Sequence, residues 1–142
     1  MNFTEQLVAM TIATMNADNK VEVEELETIR RIAADLELDA EEVEACITKE
    51  YAKPRDLASV AKSIRKKEDA KLILEACEQV ALADKFLARE EVELLLSIAE
   101  MLKIQQTQVV IDLATLAQND RSILIEGNTT LHGDDEIEMD EE

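Results

Sequence analysis

The stretch ADNKVEVEELETI, residues 17–29, places an acidic turn directly before the start of an amphipathic helix. Further along, ADKFLAREEVELL at residues 83–95 repeats the arrangement with a constant offset. The residues of the first copy that recur unchanged in the second are Ala17, Asp18, Glu24, Glu25, Glu27, Ile32, Ala33, Leu36 and Val43. The repeat indicates one three-helix unit used twice. We expect the two units to pack face to face about a pseudo-twofold axis, because each alone would leave an apolar face in water.

The rest of the chain is also patterned for helices, with apolar residues every three or four positions. Turn formers are scarce, with two glycines and one proline, and hairpins between strands need such residues. The pattern therefore predicts an all-α single domain of six or seven short helices and no strand. Three predicted helices have both ends assigned: Phe3 to Met15, Asp56 to Ile64 after a break at Pro54, and about Glu68 to Ala83. Three more are predicted by where they start, near Val23, at a cap on Asp39 and near Arg89. A last helix contains Val109 to Leu116.

The helical pattern ends after Gln118. Residues 119–142 contain nine acids and one Arg, and the last nine residues hold seven of those acids and no base. This composition is typical of a disordered segment. We therefore predict a helical domain over residues 1–118 and a disordered acidic tail over residues 119–142. Whether the apolar segment Ser122 to Gly127 docks on the body or on a partner stays open at this point.

Composition bounds the class of protein. A chain of 142 residues that is 46% apolar can bury a core within one domain. Cys46 and Cys77 lie in apolar helical patterns outside any CxxC spacing, which favours buried reduced thiols over a redox role. No apolar run reaches the roughly 18 residues of a membrane-spanning helix. The amino-terminal residues carry no basic flank, so we predict a cytoplasmic protein without a transmembrane segment.

The formal net charge of -18 argues against nucleic acid as a partner, because phosphate contacts need clustered Lys and Arg. Basic proteins or cations are the expected ligands of such a chain. The one basic cluster, KSIRKK at residues 62–67, is best interpreted from sequence as the solvated end of a helix.

The two acidic loops are the candidate site. Glu25 and Glu91 fall at the third position of their predicted helices, and helical side chains lean toward the amino end. Each can therefore reach the loop that carries Asp18 or Asp84. Two carboxylates brought together in this way repel each other unless a cation, a proton or backbone N–H groups neutralise them.

A structural explanation competes with the ligand site. Acids in the first turn of a helix complement its dipole, and a glutamate at the third position commonly caps. The expected cap positions hold Glu22 and Ala88, however, and both residues are poor caps. The sequence leaves both explanations open.

Any cation at these loops would be bound by oxygen. The single histidine is His132 in the tail, and neither cysteine is near a loop in sequence, which indicates calcium, magnesium or manganese. An EF-hand is rejected because Lys20 takes a ligand position and Val21 replaces the required glycine.

Two modules of the form A-D-x-x-(apolar)-x-x-E-E-(apolar) in an all-helical chain resemble the tellurite-resistance TerB-like family. This family is also seen in the N-terminal region of a membrane-anchored DnaJ-type co-chaperone. The resemblance covers about residues 1–118. It implies that Asp18 with Glu25, and Asp84 with Glu91, are metal ligands, and it implies links to metal or stress responses and to assemblies near the membrane.

The chain departs from that family at the loop glycine, which Asn19 and Lys85 replace. Asn tolerates a left-handed turn. Lys does so less readily, and it would bring a positive charge into the second site. The first loop is therefore the better predicted cation site.

The sequence is compatible with two functions. The first is a helical interaction module that binds a divalent cation through its acidic loops. The alternative is a metal-independent adaptor that recruits a basic protein partner through its acidic surface and tail, and a homo-oligomer stays open for either. We predict no enzyme, because residues 1–118 contain no histidine for the usual acid–base or metal chemistry, although a hydrolase built only on carboxylates stays open.

Overall fold

The computed structural model describes residues 1–16 and 23–125. Seven helices lie in these residues, and the prediction of an all-α domain is confirmed. The helices are α1 Phe3–Met15, α2 Val23–Asp35, α3 Ala40–Ala52, α4 Leu57–Ser63, α5 Lys67–Ala81, α6 Arg89–Met101 and α7 Gln106–Asn119. Two short strands, β1 Phe86–Leu87 and β2 Leu124–Ile125, complete the described elements.

Polar side chains cap the starts of α1, α3 and α4, and the cap predicted at Asp39 is confirmed. Asn2 accepts a hydrogen bond from the Glu5 N–H at 2.9 Å, and its own N–H donates to Glu5 Oε1 at 3.1 Å. Asp39 and Asp56 likewise accept from backbone N–H groups three residues further on, at 2.9 and 3.1 Å. Each bond satisfies a donor that has no partner within its helix, which sets where the helix begins.

The two modules share the same helix ends. The residues after α2 and α6, Glu37 and Lys103, are left-handed, with φ of 60° and 62°. The N–H of Leu38 then donates to the Ala33 carbonyl at 3.0 Å, and the equivalent bond from Ile104 to Ala99 is 2.8 Å. This turn ends a helix and redirects the chain. The sequence repeat is therefore also a repeat of backbone geometry.

Helix α1 forms the centre of the domain. It packs against α3, α4 and α5, with α2 and α6 also in contact, and nearly all of its length is buried. Its polar side chains are bonded inside the protein: the Thr11 hydroxyl donates to the Leu7 carbonyl at 2.8 Å, and Gln6 donates to the Ser63 carbonyl at 2.9 Å. Since α5 is the counterpart of α1 in the second module, the two modules meet through equivalent helices.

Both cysteines are buried and free, as the apolar pattern predicts. Burial raises the pKa of the Cys77 thiol to about 12. A thiol with such a pKa forms little thiolate at neutral pH, and the thiolate is the reactive form.

The prediction that the chain contains no strand was wrong, because two short strands form. Strands β1 and β2 pair in parallel, with Phe86 opposite Leu124 and Leu87 opposite Ile125, and the Leu124 N–H donates to the Lys85 carbonyl at 2.8 Å. Ile123 and Ile125 are buried in the core. The first part of the apolar segment that begins at Ser122 therefore docks on the body. Residues 126–142, which make up most of the predicted tail, lie outside the described residues.

Within the described residues, no helix is long and apolar enough to cross a membrane.

Docking of the Ile123–Ile125 segment should contribute to stability. We expect Ile123→Ala and Ile125→Ala each to lower the free energy of unfolding by about 2 kcal/mol, because each removes buried apolar contacts. Leu124→Ala is the matched control, since that side chain is exposed, and it should change the value by less than about 0.5 kcal/mol. Urea unfolding followed by circular dichroism measures all three. Equal stability of the wild type and both isoleucine variants would contradict the docking.

Candidate functional site

Glu91 lies in the first turn of α6 and caps it. Its side chain is 3% exposed, and its Oε1 accepts a hydrogen bond from the Ala88 N–H at 2.9 Å. Ala88 itself supplies no side-chain cap. The glutamate thus satisfies a backbone donor at the amino end of the helix, which is the structural role that the sequence left open for it.

Asp84 also has a local role. Its side chain is exposed, and its Oδ1 accepts a hydrogen bond from the Phe86 N–H at 3.0 Å. An aspartate bonded to the backbone two residues on stabilises a tight turn. In the second loop, Asp84 and Glu91 therefore each hold part of the backbone that leads into α6.

Lys85 adopts the left-handed conformation that the loop position requires, with φ of 68°. Its ammonium pairs with the carboxylate of Asp120, and this partner lowers the pKa of Asp120 to about 2, with help from Ser122. We expected the charge of Lys85 to enter the second acidic site. Instead it is paired with a residue beyond α7, next to the β1–β2 pair.

The first loop lies largely outside the described residues, and this includes Asp18. Glu25 is described: it lies in the first turn of α2 and is 3% exposed, the same as Glu91. The two glutamates of the repeated motif thus occupy equally buried positions in their modules.

A metal site needs several ligands directed at one point. Among residues 1–16 and 23–125, no group of three or more His, Cys, Asp or Glu side chains is arranged to hold a metal ion. The second loop fits a cation poorly, because Glu91 is buried and bonded to Ala88 while Asp84 is exposed. The assignment of Asp18, Glu25, Asp84 and Glu91 as ligands of calcium, magnesium or manganese stays a prediction.

Sequence reading overlooked a buried carboxylate in the second module. Glu78 of α5 is 1% exposed, and its pKa is raised to about 10, first by burial and then by the hydrogen bond and charge of Asp112 on α7. Within the described residues its Oε2 has no hydrogen-bond partner. One signal was available: Glu78 falls in the apolar stripe of α5, at the position that Ile12 occupies in the first module.

A second buried acid, Glu50 of α3, has a structural explanation. Arg55 Nε donates to Glu50 Oε2 at 2.8 Å, and Arg55 also approaches Glu5 at 3.6 Å. This ion pair joins the end of α3 to the segment after Pro54. A buried charge held by a partner in this way is costly to break.

Comparison with known proteins supports the resemblance drawn from the repeated motif. The model of the family described as tellurite resistance protein TerB matches residues 4–112, which confirms the predicted resemblance. No curated protein and no solved structure gives a significant match to the chain.

The raised pKa of Glu78 should make stability depend on pH. Its folded pKa of about 10 lies above the ordinary value of 4.5, so the folded state keeps a proton that the unfolded state releases. The stabilisation of the protonated form is complete below pH 4.5 and is lost as pH rises toward 10. Relative to Glu78→Gln, the wild type should therefore lose unfolding free energy steadily, on the order of 1 kcal/mol per pH unit, as pH rises from about 5.5 to 8.5.

Urea unfolding across this pH range measures the difference between the two proteins. Glu41→Gln serves as the control, because it removes an exposed negative charge from the other module and reports the general effect of charge repulsion. If the wild type and Glu78→Gln keep a constant difference across the range, Glu78 does not hold a proton in the folded state.

Proposed function

The chain belongs to the TerB family of tellurite-resistance proteins, and we propose that it is a non-catalytic interaction module that binds a basic protein segment. We further propose that the module acts within a stress-response or membrane-proximal assembly, as the resemblance to the TerB-like family implies. The observation that supports the interaction most directly is an exposed apolar pair at the second acidic loop.

This pair consists of Phe86 and Leu124, which are opposite each other across β1 and β2. Their exposed fractions are 44% and 65%. A large apolar side chain in water favours burial against a partner, and here two of them come from segments far apart in the chain. We call Phe86, Leu124 and the adjacent Asp84 the loop surface.

The loop surface is held in place by the fold. In each strand the exposed residue is next to a buried one, Leu87 in β1 and Ile125 in β2. The Asp84 carboxylate also accepts a hydrogen bond from the Phe86 N–H. The side chains are therefore positioned before a partner arrives, which reduces the ordering that binding requires.

The charge of the chain defines the expected partner. With a formal charge of -18, the protein attracts basic segments over a distance and repels acidic ones. Asp84 adds a carboxylate beside the apolar pair. A partner segment with an apolar side chain flanked by Lys or Arg matches both features.

The absence of catalysis is part of this proposal. Residues 1–125 contain no histidine, so the commonest general base is not available to them. The buried carboxylate of Glu78 lies near Asp112 of α7, and burial together with Asp112 accounts for its raised pKa without any substrate.

The interaction can be tested with variants of the loop surface. We expect proteins retained by the immobilised full chain to be lost from Phe86→Ser, Leu124→Ser, because the double change removes the apolar contact. Val110→Ser, Ile111→Ser is the matched control, since it changes two exposed apolar residues on α7. Quantitative mass spectrometry of bound proteins, at low and high salt, measures the loss.

A partner that leaves with the loop-surface variant, stays with the α7 variant and weakens in high salt supports the proposal. Identical protein sets on the wild type and the loop-surface variant would contradict it.

We also propose a divalent cation site at the first loop as a second function. The favouring observation is that Asn19, an uncharged residue, stands in the first loop where the second has Lys85, while Glu25 holds the position where the family resemblance implies a ligand. Carboxylate oxygen suits calcium, magnesium or manganese. Asp18 would be the second ligand.

Calorimetric titration of calcium, magnesium and manganese into the full chain tests this second proposal. We expect Asp18→Asn to abolish the binding heat and Asp84→Asn to preserve it, because the second loop uses its carboxylates for backbone contacts. No heat in the wild type, or equal heat in both variants and the wild type, would rule out the site. Neither result bears on the protein interaction, which has its own variants.

A further inference from the structure

A cavity of about 740 Å³ lies where the end of α4, the start of α5 and the turn between α6 and α7 meet. This volume is within the roughly 300–1,000 Å³ that is usual for small-molecule sites. Among the predicted site residues that the structure describes, Glu25, Asp84 and Glu91, none lines the cavity.

The walls of this cavity are basic, although the protein as a whole is strongly acidic. Six of the 15 Lys and Arg residues of the chain line it, against two carboxylates. The basic residues are Lys62, Arg65, Lys66, Lys67, Lys71 and Lys103. The first four belong to the cluster that the sequence favoured as a solvated helix end, whereas Lys71 and Lys103 join it only in the fold.

These cations are not neutralised within the described residues. The salt bridges found there use Arg30, Arg31, Lys49, Arg55 and Lys85, and none involves a basic residue of the cavity. Like charges held close together repel each other, and an anion among them relieves that repulsion.

The start of α5 opens onto the cavity, and the two acids of its first turn, Glu68 and Asp69, do not line the wall. Its cap position is Lys66, which forms no side-chain hydrogen bond to the helix, in contrast to Asn2 at α1 and Asp39 at α3. The backbone N–H groups of a first turn carry partial positive charge and bind phosphate groups well. Lys66, Lys67 and Lys71 all lie on the cavity wall beside this turn.

The rest of the cavity wall is apolar. The apolar lining comes from all the elements that meet there and consists of Ala61, Ile64, Ala70, Leu74, Met101, Leu102 and Ile104. A site that combines apolar surface with convergent cations suits a ligand with an apolar or aromatic part and a strongly anionic group.

We propose that this cavity binds a polyphosphate-bearing small molecule with an apolar or aromatic portion, of the nucleoside triphosphate class. Several Lys and Arg side chains together with a free helix amino end match the dense charge of a phosphate chain. A long nucleic acid fits less well, because it would extend beyond the cavity over a surface whose net charge is negative.

The test uses the full chain, with ATP, tripolyphosphate and inorganic phosphate as probes in the absence of divalent metal. We expect ATP and tripolyphosphate to shift the amide resonances of residues 62–71 and 103, with ATP binding more tightly because of the apolar wall. In the variant Lys66→Gln, Lys67→Gln, Lys103→Gln, the dissociation constant for ATP should rise at least about tenfold, since charge-assisted contacts are lost.

The matched control is Lys49→Gln, Lys53→Gln, Arg121→Gln, which removes the same charge away from the cavity. It should bind ATP within about threefold of the wild type if the contacts are local. An equal loss in both triple variants, or no resonance shift in the wild type at millimolar ATP and tripolyphosphate, would overturn the proposal.

One further variant distinguishes an external ligand from the acidic end of the chain. The seven acids of residues 134–142 are changed to Asn and Gln in the full-length protein. If this change alone moves the cavity resonances and neither phosphate compound binds, the occupant is the chain's own acidic end and the polyphosphate proposal is wrong. If ATP binding persists or tightens, the proposal holds.

Discussion

The burial of nearly all of α1 is the constraint on which the rest of the structure depends. The polar groups on the buried part of such a helix must find partners without water. Its backbone does so within the helix, and Gln6 and Thr11 bond to carbonyls inside the protein. Both modules are needed to cover this helix, since α3 comes from one and α5 from the other. The pairing of the modules is thus a requirement of the core.

Duplication left the two modules with one backbone plan and different chemistry. The left-handed turns after α2 and α6 are alike, and Glu25 and Glu91 are equally buried. Elsewhere the modules diverge: the second has a buried carboxylate, Glu78, in place of Ile12, and it binds β2 beside its acidic loop. Because the core requires only that the helices pack, the loops and single buried positions were free to change.

Charges of opposite sign lie on different parts of the molecule, the loop surface and the cavity. The loop surface combines apolar side chains with a carboxylate, and it is suited to a basic partner. The cavity at the start of α5 gathers six of the 15 Lys and Arg residues of the chain. Opposite charges kept apart on a small domain allow two ligands of opposite sign to bind without competing for one surface. The proposals of a basic protein partner and of a polyphosphate ligand therefore concern separate parts of the protein.

The amino-acid sequence by itself determined the helices, most of their starting points, the repeat and the family. These features depend on residues within about four positions of each other, or on direct identity between two stretches. Asp39 and Pro54 could be interpreted from the sequence because their effects on the backbone are local. The two-residue strands escaped prediction because a parallel pair joins segments far apart in the chain.

Only the tertiary structure decided the candidate sites. It joined Lys71 and Lys103 to the basic cluster at residues 62–67, placed Glu78 next to Asp112, and paired Lys85 with Asp120. Each of these results depends on the distance between side chains on different helices, which periodicity does not specify. The energies that fix such distances come from packing around α1, and packing is settled only when the whole core has formed.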